Sequence, residues 1–315
     1  MKCVVLGGGG FIGSHVCDAM LAAGHAVRVF ERPGGSLRNI DHLGGRIECV
    51  EGDFLDPDDI GRAVAGQDVV VHGICTTLPK ASNDDPAFDV RSNVIPTLQL
   101  LDAARSRGVR RVLFLSSGGT VYGPPRTTPI PEDHPNDPTC SYGIQKLAIE
   151  KYCALYHHLH GLDYRVLRVS NPYGERQLPH ASQGAVAVFM NRGLSGDPIE
   201  IWGDGSVTRD YLHVSDVASA VVRAATHEGP SRIFNVGTGK GLSLLQLIAA
   251  IETAIGRPMT VRFSAARSFD VPVNVLDVTR ARTELGWEPA VGLAEGLART
   301  AASLRPPGGG APRSG

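Results

Sequence analysis

The first half of this sequence alternates short apolar, β-branched runs with longer stretches of helical periodicity. That alternation confines a chain to strand–helix–strand units around a parallel sheet. Runs at 3–6, 27–30, 47–50, 69–72, 112–116 and 164–169 read as strands. Helices fall between them near 12–23, 60–65, 94–106 and 142–160, and Gly24 and Gly108 stand where helices terminate. The expected fold class is α/β, a doubly wound parallel sheet with a smaller C-terminal α/β lobe.

After Asn171 the pattern loosens. A loop-rich stretch at 171–210 holds one helix around 186–194 and a short strand at 199–201. "YLHVSDVASAVVRAA" and "IFNVG" read as a further helix and strand that return to the main sheet. "SLLQLIAAIETAIG" reads as a helix opened by a Ser243/Gln246 capping box and closed by Gly256. The expected division is a large domain of 1–170 plus about 211–236, and a second lobe of 171–210 and 237–304. The end, "RPPGGGAPRSG" at 305–315, lacks large apolar side chains and is expected to be a disordered tail.

A formal net charge of −1 gives no bulk electrostatic reason to bind nucleic acid or an acidic membrane surface. No apolar run is long enough to span a bilayer. The six cysteines show no CxxC spacing and fit free thiols in a reducing compartment, and no metal site is expected. The opening "MKCVVLGGGGFIGSHV" looks superficially like a signal peptide. Its four consecutive glycines make a poor apolar helix, so strand–turn–helix is the better reading and a cytoplasmic location is expected.

Gly7, Gly10 and Gly13 form a GxxGxxG pattern between the first strand and the first helix. A tight turn there brings backbone N–H groups and a helix N-terminus to a pyrophosphate, where side chains would obstruct it. The next strand ends in Glu31, placed to accept hydrogen bonds from an adenosine ribose. A carboxylate there repels a 2′-phosphate and favours NAD over NADP, although the neighbouring Arg32 pulls the other way. Asp53 in "EGDFLD" follows the third strand, where it either meets the adenine amino group or caps the loop.

Tyr142 and Lys146 in "SYGIQKLAIEKY" are spaced i, i+4 and share one helix face; Lys151 lies off it. Tyrosine titrates near ~10, so service as a base near neutrality requires a shift of about 3 units, or roughly 4 kcal/mol. An ammonium about 4 Å away supplies on the order of 4 kcal/mol at an effective dielectric near 20. Only five of the 31 basic residues are lysines, so few groups are available for that role.

With these residues in hand, the sequence resembles the extended short-chain dehydrogenase/reductase family, in particular its UDP-glucose 4-epimerase-type branch of NAD-dependent epimerases and dehydratases. The motifs run in order from "GGGGFIGS" through "EGDFLD", "SSGGTVYG", "SYGIQK", "LRVSNPYG" and "GDGSVTRDYLHVSDV" to "FNVGTGKGLS" and "RSFDVPVNVLD". The resemblance implies a Rossmann-type NAD-binding domain and a second lobe for a nucleotide sugar. It implies that Gly7, Gly10, Phe11, Ile12, Gly13, Glu31, Arg32, Asp53 and Phe54 line the dinucleotide site. Asn93, Ser116, Tyr142 and Lys146 would reach its nicotinamide half. Asn171, Arg209, Arg267 and Asp270 would contact the nucleoside diphosphate, and guanidinium forks suit paired phosphate oxygens.

One position departs from the family. The catalytic Ser or Thr expected three residues before the Val of "VYG" is Gly118 here. Thr120 is the expected replacement hydroxyl, with Ser117 as the fallback substrate contact, and the Gly118–Gly119 pair is an alternative way to enlarge the sugar pocket. The implied reaction is interconversion of C4 epimers of a UDP-hexose through a transient 4-keto sugar, with Tyr142 as base. Its rivals are a sugar-nucleotide 4,6-dehydratase or decarboxylase, and a non-catalytic NAD-sensing protein, for which the retained tyrosine–lysine pair has no use. Asn274 stands where some relatives carry a large aromatic residue that excludes N-acetylated sugars, so UDP-N-acetylhexosamines stay open, as do uronic acid and pentose sugars and a dTDP carrier. The family also implies a homodimer built on the helices at 94–106 and 142–160.

Overall fold

The computed structural model describes residues 1–78, 81–179, 184–265 and 271–305. The chain begins β1 (Lys2–Leu6), α1 (Phe11–Ala22), β2 (Ala26–Glu31), β3 (Ile47–Glu51), α2 (Pro57–Val64) and β4 (Val69–His72). Asp56 caps α2 through Asp58 N, and Pro57 opens its first turn, so this helix starts earlier than the apolar pattern alone indicates. A short α3 (Pro86–Asp89) then runs through a π-type turn at Val90–Val94 into α4 (Ile95–Ser106). β5 (Arg111–Ser117), α5 (Ser141–His160) and β6 (Asp163–Val169) complete the first half. Gly24, Gly108 and Gly161 all take positive φ just past helix ends, where a side chain would be strained.

The second half comprises β7 (Asn171–Tyr173), α6 (Ala185–Ser195), β8 (Ile199–Trp202), β9 (Thr208–His213), α7 (Val214–Thr226) and β10 (Ile233–Val236). It ends with β11 (Gly241–Ser243), α8 (Leu244–Ile255), β12 (Val261–Ser264), β13 (Val273–Asn274), α9 (Thr279–Leu285) and α10 (Leu293–Leu304). The Ser243/Gln246 capping box and the left-handed Gly256 bound α8 as the sequence predicts.

Seven parallel strands form the main sheet in the order β10-β6-β5-β4-β1-β2-β3. Val16, Cys17 and Met20 of α1 and Val217 and Val221 of α7 pack on one face. Ile60 of α2, Leu100 and Leu101 of α4, and Ile149 and Cys153 of α5 pack on the other. Strands covered on both faces need nearly continuous apolar sequence, which is why β4 reads "VVVH". Strand order reverses direction between β1 and β4, so a crevice opens beside the C-terminal end of β1, where such sheets bind ligands.

The smaller lobe holds a separate core that includes Tyr173, Met190, Ile199, Tyr211, Ile251 and Leu297. One sequence expectation fails here. Tyr211, Leu212 and His213 do not open a helix; they finish β9, and the helix begins only at Val214. Pairing decides the matter, because β9 lies against β7 and β13 in parallel and β11 in antiparallel register. Residues 306–315 lie outside the described residues, as does the expectation of a tail there. Among the described residues no helix is long and apolar enough to cross a membrane.

Candidate active site

The glycine turn sits at the reversal point. Gly7 takes φ +80° and accepts the Gly10 N–H at 3.1 Å through its carbonyl. A side chain at Gly13 would collide with that same carbonyl oxygen, and one at Gly7 would press on Ile74 at 3.3 Å. No side chain caps α1, whose N-cap is Gly10, and no acid occupies its first turn. The turn is therefore a backbone cradle facing a helix N-terminus, with the room and polarity a pyrophosphate requires. Glu31 stands beside it and accepts from Gly9 N at 3.1 Å and its neighbour Arg32 N at 3.3 Å. Phe11 and Ile12 are half-buried in the first turn of α1, and Arg32 is exposed. Asp53 caps its own loop, accepting Leu55 N at 2.9 Å, and stays exposed. Phe54 is buried against the His72 ring, with ring centres 5.2 Å apart. These residues fit a dinucleotide with an unphosphorylated adenosine ribose.

Tyr142 and Lys146 lie on one face of α5, as their spacing predicts. Lys146 is 4% exposed; its Nζ donates to Leu115 O at 3.0 Å and sits 5.6 Å from the centre of the Tyr142 ring. The amine thus faces the protein, where β5 ends, while Lys151 is exposed. Burial pushes the Tyr142 phenol well above its ordinary value, and the nearby Cys75, Cys140 and Asp89 push the same way. Both effects oppose the pull of the Lys146 ammonium toward a phenolate.

The first turn of α5 is held by residues that sequence reasoning missed. Asp89 is fully buried; its Oδ2 accepts Ser141 Oγ at 2.7 Å, and its Oδ1 accepts Asn93 Nδ2 at 3.1 Å and the Thr77 hydroxyl. Asn93 in turn accepts Thr76 N at 2.9 Å, so its amide shapes the loop after β4 from inside a π-type turn. Ser82 Oγ accepts Tyr142 N at 2.9 Å. The Asp85–Pro86 cap that opens α3 is the local sequence feature that marks where Asp89 stands.

The loop after β5 passes against α5: a side chain at Gly143 would strike Thr120 O at 2.8 Å. Thr120 Oγ1 is buried and has no hydrogen-bond partner among the described residues, so a hydroxyl is held ready without a structural task. Ser117 is half-buried at the end of β5. Ser116 donates its hydroxyl to Glu150 Oε1 at 2.5 Å, so that group already has a partner within the protein. Gly118 does not enlarge a pocket. A Cβ there would meet Leu276 Cδ1 at 2.5 Å and Arg168 O at 3.1 Å, whereas Gly119 faces open space with only Ser117 Oγ at 3.8 Å. Asn274 is 1% exposed, donates Nδ2 to Gly118 O at 3.1 Å, and leaves its buried Oδ1 unpartnered.

In the smaller lobe, Asn171 Nδ2 donates to Asp210 O at 3.1 Å. Arg209 pairs in register with Asn274 and donates to Val271 O at 2.7 Å. The structure therefore brings Asn171, Arg209 and Asn274 onto one small sheet, which the Asn274–Gly118 hydrogen bond ties to the loop after β5. Arg267 and Asp270 lie outside the described residues.

Residues 3–237 match the NAD dependent epimerase/dehydratase family. A UDP-glucose 4-epimerase of Mycolicibacterium smegmatis is 42% identical over 309 residues, spanning 97% of this chain and 99% of that protein. The crystal structure of a UDP-glucose 4-epimerase of Thermotoga maritima with UDP-glucose gives a TM-score of 0.91 at 35% identity, covering 96% of this chain and 98% of that one. A Thermus thermophilus UDP-glucose 4-epimerase in complex with NAD gives 0.89 at 34% identity, covering 96% and 99%. A cradle shaped for a dinucleotide, a tyrosine–lysine face beside it and likeness along nearly the whole chain agree: the chain belongs to the NAD dependent epimerase/dehydratase family.

Proposed function

We propose that this chain is a nucleotide-sugar 4-epimerase that interconverts C4 epimers of a UDP-hexose, glucose and galactose or their N-acetyl or uronic acid analogues. The observation that carries the reading is the shared α5 face of Tyr142 and Lys146, with the amine buried where β5 ends beside the glycine cradle. Bound NAD supplies the reversible two-electron acceptor for the sugar carbinol, so net redox change is zero. The cradle at 7–13 would hold its pyrophosphate, Glu31 its adenosine ribose and Asp53 its adenine, with Arg32 and Phe54 flanking them.

Tyr142 is the proton acceptor for the sugar 4-hydroxyl and returns that proton to the 4-keto intermediate. Lys146, on the same helix face with its amine 5.6 Å from the centre of the Tyr142 ring, favours the phenolate through its positive charge. Burial works against it and holds the phenol above its ordinary value. The positive ring of an oxidised nicotinamide would add to the lysine's effect. Thr120 offers the unpartnered hydroxyl that orients the substrate proton, and Ser117 flanks it. Asn171, Arg209, Arg267 and Asp270 would hold the nucleoside diphosphate.

A homodimer is part of this reading. Ile95 on α4 and Ile144, Leu155 and Leu159 on α5 are exposed apolar side chains, Leu159 by 60%, on the two helices expected at the interface. A reducing cytoplasm suits six cysteines that are all free. The test is incubation of purified protein with UDP-glucose, UDP-galactose and their N-acetyl and uronic acid analogues, without added reductant, followed by NMR of the products. Accumulation of the 4-epimer supports the reading; a stable keto sugar or released carbon dioxide overturns it in favour of a dehydratase or decarboxylase.

A further inference from the structure

The face of α5 that carries Tyr142 and Lys146 continues at the same four-residue stride to Glu150. Glu150 is a carboxylate only 3% exposed, and the proposed chemistry does not use it. Its oxygens accept Ser116 Oγ from the end of β5 at 2.5 Å and a guanidinium fork from Arg168 on β6, Nε at 3.1 and 3.2 Å and Nη2 at 2.6 Å. Arg168 is 1% exposed and lies over the Tyr122 ring at 4.8 Å. Its remaining donors reach Glu132 O at 3.3 Å and Asn136 Oδ1 at 2.9 Å.

A buried ion pair is a poor way to gain stability, since apolar residues of similar volume hold elements together as well or better. What a fork on a carboxylate adds is geometry: it fixes distance and rotation at once. Two consecutive residues of β5 meet consecutive turns of this helix face. Leu115 O takes the Lys146 amine, and Ser116 Oγ takes Glu150. The depth and rotation of α5 at Glu150 therefore set where the Lys146 ammonium stands relative to the Tyr142 ring one turn further on.

We propose that Glu150, clamped by Arg168 and Ser116, is a positioning residue for 4-epimerisation that acts through Lys146 on Tyr142. This rests on Tyr142 being the base. Placement and direct charge predict opposite signs. Glu150 lies about 12 Å along the helix from Tyr142, and simple removal of its negative charge would favour the phenolate. Loss of placement draws the ammonium away and disfavours it.

The experiment titrates the Tyr142 phenol by ultraviolet difference spectroscopy in NAD-loaded full-length protein, with Tyr142→Phe as the blank, and pairs this with steady-state kinetics on a UDP-hexose. In Glu150→Gln the midpoint is expected to rise by about one pH unit, which lowers the phenolate fraction and kcat about tenfold. KM for the sugar nucleotide stays within about twofold, since ground-state binding is untouched. Ser116→Ala keeps the ion pair and should raise the midpoint by about half a pH unit and lower kcat about threefold. If Glu150→Gln fails to fold, Ser116→Ala carries the test alone. A folded, NAD-loaded variant whose midpoint is unchanged or lower overturns the proposal, whatever its melting temperature. The titration involves no sugar, so absence of epimerase activity in the wild type would sink the functional reading and still leave placement measurable.

Discussion

Restoring the family's hydroxyl by Gly118→Ser is the obvious way to improve this enzyme, and the structure predicts that it fails. The new Cβ would lie 2.5 and 3.0 Å from the two methyl carbons of Leu276 and 3.1 Å from Arg168 O. Leu276 is fully buried with Val121, Tyr122, Ile130 and Val278, so it has nowhere to swing. The carbonyl belongs to β6 and is fixed by the sheet. Overpacking of this kind costs about 2 kcal/mol, which for a chain of this size lowers Tm by roughly 3 °C. Thermal denaturation at fixed NAD content checks it, and Gly118→Ala should fall equally, because the Cβ rather than the hydroxyl does the damage. A Gly118→Ser protein with unchanged Tm and raised kcat would refute the packing argument and show that the missing hydroxyl limits turnover.

Three further outcomes are expected. Gly13→Ala places a methyl group against the Gly7 carbonyl, so the purified protein should fold but carry at least about tenfold less NAD per chain than wild type; nucleotide extraction and chromatography check this, and stoichiometric NAD would contradict it. Burial pushes His72 down to about 3, against an unfolded value near 6.5, so its contribution is intact above pH 6.5. Stability should then decline by about 1.4 kcal/mol per unit from this group as pH falls toward the folded value. Denaturant melts of His72→Gln between pH 6 and pH 4 should show a slope shallower by about one proton than wild type, and an equal slope would count against the buried neutral imidazole. If the proposed dimer forms, Leu159→Glu with Leu155→Glu places charges on its exposed α5 stripe and should shift sedimentation from dimer to folded monomer, whereas a wild type that sediments as a monomer contradicts the dimer.

Local features carried most of what the sequence made legible. Apolar runs named β1, β2, β4, β5 and β6 because strands covered on both faces tolerate little else, and the α8 cap was readable because its partners are three residues apart. Tyr142 and Lys146 were found because helical geometry turns their spacing into proximity. Tyr211 to His213 misled because a short apolar run does not distinguish strand from helix, and here the choice belongs to β7, β11 and β13, partners distant in sequence. The same limit hid Asp89, whose partners come from the β4 loop and the start of α5. It also hid the reason for Gly118, since nothing near that glycine announces that Leu276 occupies its space.

The most direct test measures UDP-hexose epimerisation by Tyr142→Phe and wild type, matched for bound NAD and for folding. Loss of the phenolic oxygen should lower kcat by a factor on the order of 10² to 10⁴ while the variant keeps its NAD and binds the sugar nucleotide. Undiminished turnover would mean that another group moves the proton, and the role given to the α5 face would be wrong.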